Sequence, residues 1–126
     1  MLTIRSNTNL CGLFYLSRIA IPQFRKQGKG AIVATASTAG LQGDYGICAY
    51  SASKHGTVGL IKAMALDHAK ENIRVNCVCP GYMITPMTEP FKENPTVYEE
   101  LLNGIPMGRG ADPKEIGRAV RSFATA

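Results

Sequence analysis

Tyr50 and Lys54 stand four residues apart in the run Cys48-Ala-Tyr-Ser-Ala-Ser-Lys-His-Gly-Thr-Val-Gly-Leu60, which reads as the opening turns of a helix. That spacing stacks two side chains on one helix face. A phenol held beside an ammonium is a poised acid/base, because the cation stabilises the phenolate. The positive end of a helix acts in the same direction if Tyr50 lies in its first turn. Alone the pair carries little weight, since a surface Tyr–Lys pair has the same spacing. Its surroundings decide.

The elements that must position this pair can be read on either side. Leu10, Leu13, Phe14, Ser17, Ile21 and Phe24 recur at three- and four-residue steps and predict a helix with one buried stripe. Ser6 or Asn7 is the expected cap, Gly28 the expected end, and Pro22 should kink or shorten it. Residues 30–37 form a nearly all-apolar run suited to a strand of a parallel sheet, buried on both faces and ending at Ser37. A loop from Thr38 to Ile47 leads to the Tyr50 helix. That helix should run to about Lys70 with Val58, Ile61, Ala65 and Leu66 on its apolar face, and Asn72 as a left-handed cap. Residues 73–79 predict a second strand, stopped by Pro80-Gly81. The stretch from Tyr82 to Gly110 reads as irregular around a short helix from Thr96 to Leu102, and Asp112-Pro113 as the cap of a last helix reaching Phe123.

This order of elements spells an α/β layer with two parallel strands. Two strands are too few for a satisfied parallel sheet, because their outer edges leave backbone unpaired. At 126 residues the chain is at most one domain. Its net charge of +5 is spread along the chain with no dense basic run, which argues against nucleic acid. Cys11, Cys48, Cys77 and Cys79 form no Cys-x-x-Cys pair and have no histidine partner nearby, so neither a disulfide framework nor a metal site is expected. Cys77 and Cys79, which would share one strand face, read as small buried hydrophobes. Arg18 and Pro22 interrupt the longest apolar stretch, so no membrane span is expected, and a cytoplasmic setting is the default.

In open α/β sheets ligands bind beyond the carboxyl ends of the strands. Ser37, Tyr50 with Lys54, and Pro80-Gly81 all fall there. With those residues in place, the chain resembles the short-chain dehydrogenase/reductase family, and specifically its carboxy-terminal, catalytic half. Asn9-Leu-Cys-Gly12 is similar to the family's Asn-Leu-x-Gly, residues 31–40 to its serine strand, and Tyr50-Ser-Ala-Ser-Lys54 to its active-site signature. The interval of thirteen residues from Ser37 to Tyr50 also matches. Residues 74–85 resemble the strand and turn that hold nicotinamide, and residues 108–115 the lead-in to its last long helix.

The resemblance implies a partial Rossmann-like fold, a doubly wound parallel sheet of which two strands are present, over residues 1–126. It implies NAD- or NADP-dependent hydride transfer between the cofactor and a small carbonyl or alcohol. Tyr50 is then the general acid/base, Lys54 its cationic partner and a ligand of the nicotinamide ribose, and Ser37 the donor to the substrate oxygen. Asn9 holds a water linking Lys54 to solvent, and Pro80, Gly81, Met83 and Thr85 line the nicotinamide. A homo-oligomer built through the two long helices is implied as well. Singly, Ser37 reads as a strand-end cap, Asn9 as a helix cap or core amide, and Pro80-Gly81 as a turn. His55 and His68 match nothing catalytic, Asp67 and Glu71 read as a solvated face, and Asp112 as a cap. Met83, Met87, Phe91 and Tyr98 could line a pocket or pack together.

The chain departs from the family in lacking a strand–glycine-turn–helix for a pyrophosphate: none of its glycine clusters stands between a strand and a helix. The amino-terminal dinucleotide-binding half is absent, so NAD and NADP cannot be told apart here, and weak cofactor binding and inactivity of the 126 residues alone are expected. A second reading is a non-enzymatic short protein that uses its helix pair as an interaction surface. Retention of Asn9, Ser37, Tyr50 and Lys54 together favours the enzyme.

Overall fold

Two residues in the left-handed region end the two long helices and launch the two strands. Gly28 (φ 71°) closes the first and Asn72 (φ 56°) the second, both as the sequence predicts. The Asn72 side chain donates to the Gly28 carbonyl at 3.1 Å, and the Gly30 N–H donates to the Asn72 carbonyl at 3.1 Å, so both caps lock to each other. The computed structural model describes residues 2–125. Its order is α1 (Leu2–Ser6), a π-helical turn (Asn7–Cys11), α2 (Gly12–Gln27), β1 (Gly30–Thr35), α3 (Cys48–His68), β2 (Ile73–Val78), α4 (Pro95–Asn103) and α5 (Pro113–Thr125), with short 3₁₀ turns at Thr38–Gly40, Ala69–Glu71 and Glu89–Glu93.

β1 and β2 pair in parallel, Gly30 against Ile73 through Thr35 against Val78. Side chains alternate across a sheet, so Ile32 and Ala34 share one face with Ile73, Val75 and Cys77. There they meet Ile21 of α2 and Ile61 and Met64 of α3 in one apolar core. Arg74 is out of phase with that set. Its guanidinium donates to the Phe123 carbonyl at 2.6 Å and to that of Ala124 at 3.4 Å, which places α5 on the opposite face. A cation among the last carbonyls of a helix satisfies acceptors that have no partner within it. Asp112 caps α5 as expected: its Oδ1 accepts from the Lys114 N–H and its own N–H donates to Glu115 Oε2, each at 2.8 Å. That is a reciprocal capping box.

Several expectations change. The first helix does not start at Ser6 or Asn7: Ser6 is helical (φ −66°, ψ −42°) and caps nothing, and the helical path begins at Leu2. Its irregularity is not at Pro22, which α2 passes through, but in the wide turn where the Gly12 N–H donates to the Asn7 carbonyl. Phe14 and Leu66 leave the apolar stripes, Leu66 being 81% exposed. β1 is not buried on both faces, since Thr35 is exposed and Ala31 and Val33 are half-buried. Both strands end slightly early, at Thr35 and Val78, although the Ala36 and Thr38 N–H groups still donate to the Val78 and Pro80 carbonyls at 2.8 and 3.0 Å.

Candidate active site

Tyr50 is the third residue of α3 and half-buried, within the turn where the helix N-terminus is positive. One turn on, the Lys54 Nζ lies 5.7 Å from the Tyr50 ring centroid and donates to the Thr35 carbonyl at 3.0 Å. A second cation attends the same ring: the Arg5 guanidinium carbon is 5.6 Å from its centroid. Sequence reading missed Arg5, since nothing in the local pattern ties a residue of α1 to α3.

Ser37 follows β1 in extended conformation and caps the short turn Thr38–Gly40, its Oγ accepting from the Ala39 N–H at 3.2 Å. This turn is clamped to α3. The Ser51 hydroxyl donates to the Ala39 carbonyl at 2.8 Å, and a Cβ placed on Gly40 would lie 2.7 Å from the Lys54 carbonyl oxygen. Glycine at 40 is thus what lets the turn lie directly on the helix backbone between Tyr50 and Lys54.

Asn9 sits in the π-helical turn. Its amide donates to the Ser53 hydroxyl at 3.0 Å, and that hydroxyl donates to the Tyr50 carbonyl at 2.7 Å. The Thr57 hydroxyl reaches both the Ser53 carbonyl (3.0 Å) and the Asn9 carbonyl (3.3 Å). Ser53 and Thr57 are 1% and 2% exposed, so these bonds satisfy groups with little access to water. Both were missed at the level of sequence, although Ser51, Ser53 and Thr57 form a small polar set around Tyr50 and Lys54.

At the end of β2, the Pro80 carbonyl accepts from the Thr38 N–H at 3.0 Å, and Gly81 faces the Thr38 methyl. Met83 and Thr85 lie further along. Met83 bridges to Ala111, and the Thr85 N–H donates to Thr88 Oγ1 at 3.1 Å. Hydrogen bonds thus tie Asn9 to the Tyr50 carbonyl through Ser53, Lys54 to the end of β1, and the Ser37 turn to Ser51 of α3 and to Pro80, around one end of the sheet. Among the described residues none joins Met83 or Thr85 to these, and none links the Ser37 and Tyr50 hydroxyls.

The flanking aromatics pack together: the Tyr82 ring centroid is 6.3 Å from that of Phe91 and 6.1 Å from that of Tyr98, while Met87 points into solvent. Glu71 is not a merely solvated carboxylate. Arg25 grips it with two hydrogen bonds of 2.7 and 2.8 Å, which hold its pKa down at about 2. A hollow of about 320 Å³ between α2 and α3, lined by Phe14, Arg18, Ile21, Leu60, Met64 and His68, contains no candidate site residue. Among the described residues no group of three or more His, Cys, Asp or Glu side chains could hold a metal, and no helix is long and apolar enough to cross a membrane.

Known proteins resemble this chain in sequence and in fold. A family model described as short chain dehydrogenase matches residues 5–96. The 3-oxoacyl-acyl-carrier-protein reductase FabG of Thermotoga maritima is 40% identical over 119 residues, 94% of this chain and 48% of its own length. Cyclohexanol dehydrogenase of an Acinetobacter species is 42% identical over 114 residues, 90% of this chain and 43% of its own. Among solved structures, the TT0495 protein of Thermus thermophilus superposes with a TM-score of 0.89 at 34% identity, over 95% of this chain and 51% of its own. A 4-hydroxyisoleucine dehydrogenase complexed with NADH gives 0.87 at 33%, over 92% and 48%. An actinorhodin polyketide ketoreductase variant with NADPH gives 0.83 at 35%, over 92% and 49%. The chain spans about half the length of the curated relatives it matches.

Proposed function

Since the chain belongs to the short-chain dehydrogenase family, we propose that it is the catalytic part of an NAD(P)-dependent oxidoreductase acting on a small carbonyl or alcohol. The observation that carries this is the clamp of the Ser37 turn onto α3, through Ser51 and Gly40, beside Tyr50 and Lys54. When bound, the nicotinamide supplies or accepts the hydride. The donor set here fits its ribose: an ammonium has three N–H groups, and Thr35 takes one of those on Lys54. Among the described residues nothing takes the other two, which leaves them to hydroxyls. Pro80, Gly81, Met83 and Thr85 line the ring, and the fixed contact of Pro80 with Thr38 ties that lining to the Ser37 turn.

Tyr50 gives its phenol proton to the oxygen of a carbonyl being reduced, or takes it from an alcohol being oxidised. Ser37 donates to the same oxygen, where charge develops. Its Oγ already accepts from Ala39, so its own proton points elsewhere than back into the turn. Asn9 holds a water between Lys54 and solvent, a role its amide supports by anchoring the π turn on Ser53. The relatives solved with NADH and with NADPH leave NAD and NADP equally open. A cytoplasmic setting suits four free cysteines.

The 126 residues alone are inactive in this reading, because no glycine turn is present to cradle a pyrophosphate. Hydride transfer is the test. The chain preceded by the amino-terminal half of the Thermotoga reductase should turn over carbonyls, and the 126 residues should not. Tight stoichiometric NADPH binding by the 126 residues in calorimetry would overturn the second statement. One observation favours a different use, as an interaction module or the oligomer contact of an enzyme: Ile4, Leu16 and Ile19 on the first helices expose 68–75% of their surface. Retained activity-bearing groups keep the enzyme reading first.

A further inference from the structure

Cys77 and Cys79 take no part in the chemistry above, yet their sulfurs are 4.0 Å apart at the end of β2. Cys77 packs on the core beneath α3, and Cys79 immediately precedes Pro80. Both are half-buried and reduced. A disulfide needs about 2.05 Å between sulfurs, half the observed separation. Two thiolates with bonds of about 2.3 Å stand roughly 3.7 Å apart on a tetrahedral centre and roughly 3.4 Å apart on a pyramidal three-coordinate one with angles of about 95°, so the observed 4.0 Å closes on either with a small side-chain rotation. Among the described residues no further His, Cys, Asp or Glu completes a set of three, so a four-coordinate metal would lack protein ligands. A centre that wants only two sulfurs and brings its own third bond fits better.

We propose that Cys77 and Cys79 form a dithiol site for a three-coordinate thiophilic centre, such as trivalent arsenic carrying one organic group. With an arsine oxide as the ligand, two S–H bonds and the As=O bond are lost, two As–S bonds form, and one water leaves. No electron is transferred. Burial, then the neighbouring Cys79, raise the Cys77 pKa, with Lys62 opposing. Cys77 therefore keeps its proton at neutral pH and resists single-site alkylation, which needs the thiolate.

The probe is phenylarsine oxide added to the 126-residue chain, followed by intact mass and thiol titration. One adduct per chain is expected, with titratable thiols falling from four to two. A 1,2-dithiol should release it and a monothiol should not. Cys77→Ala and Cys79→Ala should each weaken capture on the order of 100-fold, the loss of an intramolecular second bond, while Cys11→Ala and Cys48→Ala leave it unchanged. Peptide mapping of the wild-type adduct guards against a misfolded variant. No adduct on the folded chain, or an adduct mapped to Cys11 or Cys48, would overturn the assignment.

Discussion

Lys54 Nζ donates to the carbonyl of Thr35, the last residue of β1, nineteen positions earlier, at 3.0 Å. The ammonium that faces the Tyr50 ring is thus held by the strand end rather than by a side-chain partner. Its position follows from where β1 stops.

That bond distinguishes Lys54 from any other cation. Lys54→Met leaves the Thr35 carbonyl without this donor and removes the charge. Lys54→Arg restores charge but presents a planar fork in place of a compact head. In the chain extended by a relative's amino-terminal half, both variants should lose about 100-fold or more in kcat/KM, as expected for groups serving proton transfer. Circular dichroism should be unchanged. Full activity of Lys54→Arg would mean that charge alone matters.

The Gly40 contact predicts a steric cost without any change in charge. A Cβ there would meet the Lys54 carbonyl oxygen at 2.7 Å and its carbon at 2.9 Å, both backbone atoms that cannot turn aside. Gly40→Ala should lower stability by about 1–3 kcal/mol in urea unfolding, the range for overpacking. Gly43→Ala is the control. It has nothing within 4 Å and no positive φ, so it should be neutral or slightly stabilising.

Much of this geometry was legible in the chain, for identifiable reasons. Helix ends at Gly28 and Asn72 and the Asp112 cap were read correctly because each depends on one residue's local chemistry. The parallel strand pair followed from two short apolar runs bounded by glycine, asparagine and proline. The π turn at Asn7–Cys11 was not legible: Ser6 and Asn7 are cap types, and the wide turn is held by Ser53 and Thr57, more than forty residues away. Leu66 and Phe14 were misplaced because periodicity marks an apolar stripe without saying how wide a face the core covers. The Ser51 and Gly40 contacts that hold the Ser37 turn against α3 were not legible, because they depend on backbone approaches no spacing reveals.

Two ion pairs give the fold an acid limit. Arg25 holds the Glu71 carboxyl at about 2 by side-chain hydrogen bonds, and Arg109 does the same for Glu115, each against an ordinary value of 4.5. Folded pKa values below the unfolded ones mean that the unfolded chain binds more protons. The stabilisation is therefore complete above the unfolded value and is lost as pH falls through the folded one. Melting temperature should drop between about pH 5 and about pH 2. Glu71→Gln should flatten part of that drop. The Arg25 side chain is half-exposed, so added salt should shrink the difference.

The central claim is that the Tyr50 phenol carries the proton. The direct measurement is kcat and KM for Tyr50→Phe in the extended chain, assayed on a panel of carbonyls with NADPH and with NADH. The ring and its neighbours Arg5 and Lys54 remain, and only the hydroxyl is gone. The account predicts kcat lower by about 100- to 10,000-fold, the span of general acid catalysis, with KM little changed. Turnover equal to that of the parent would contradict it.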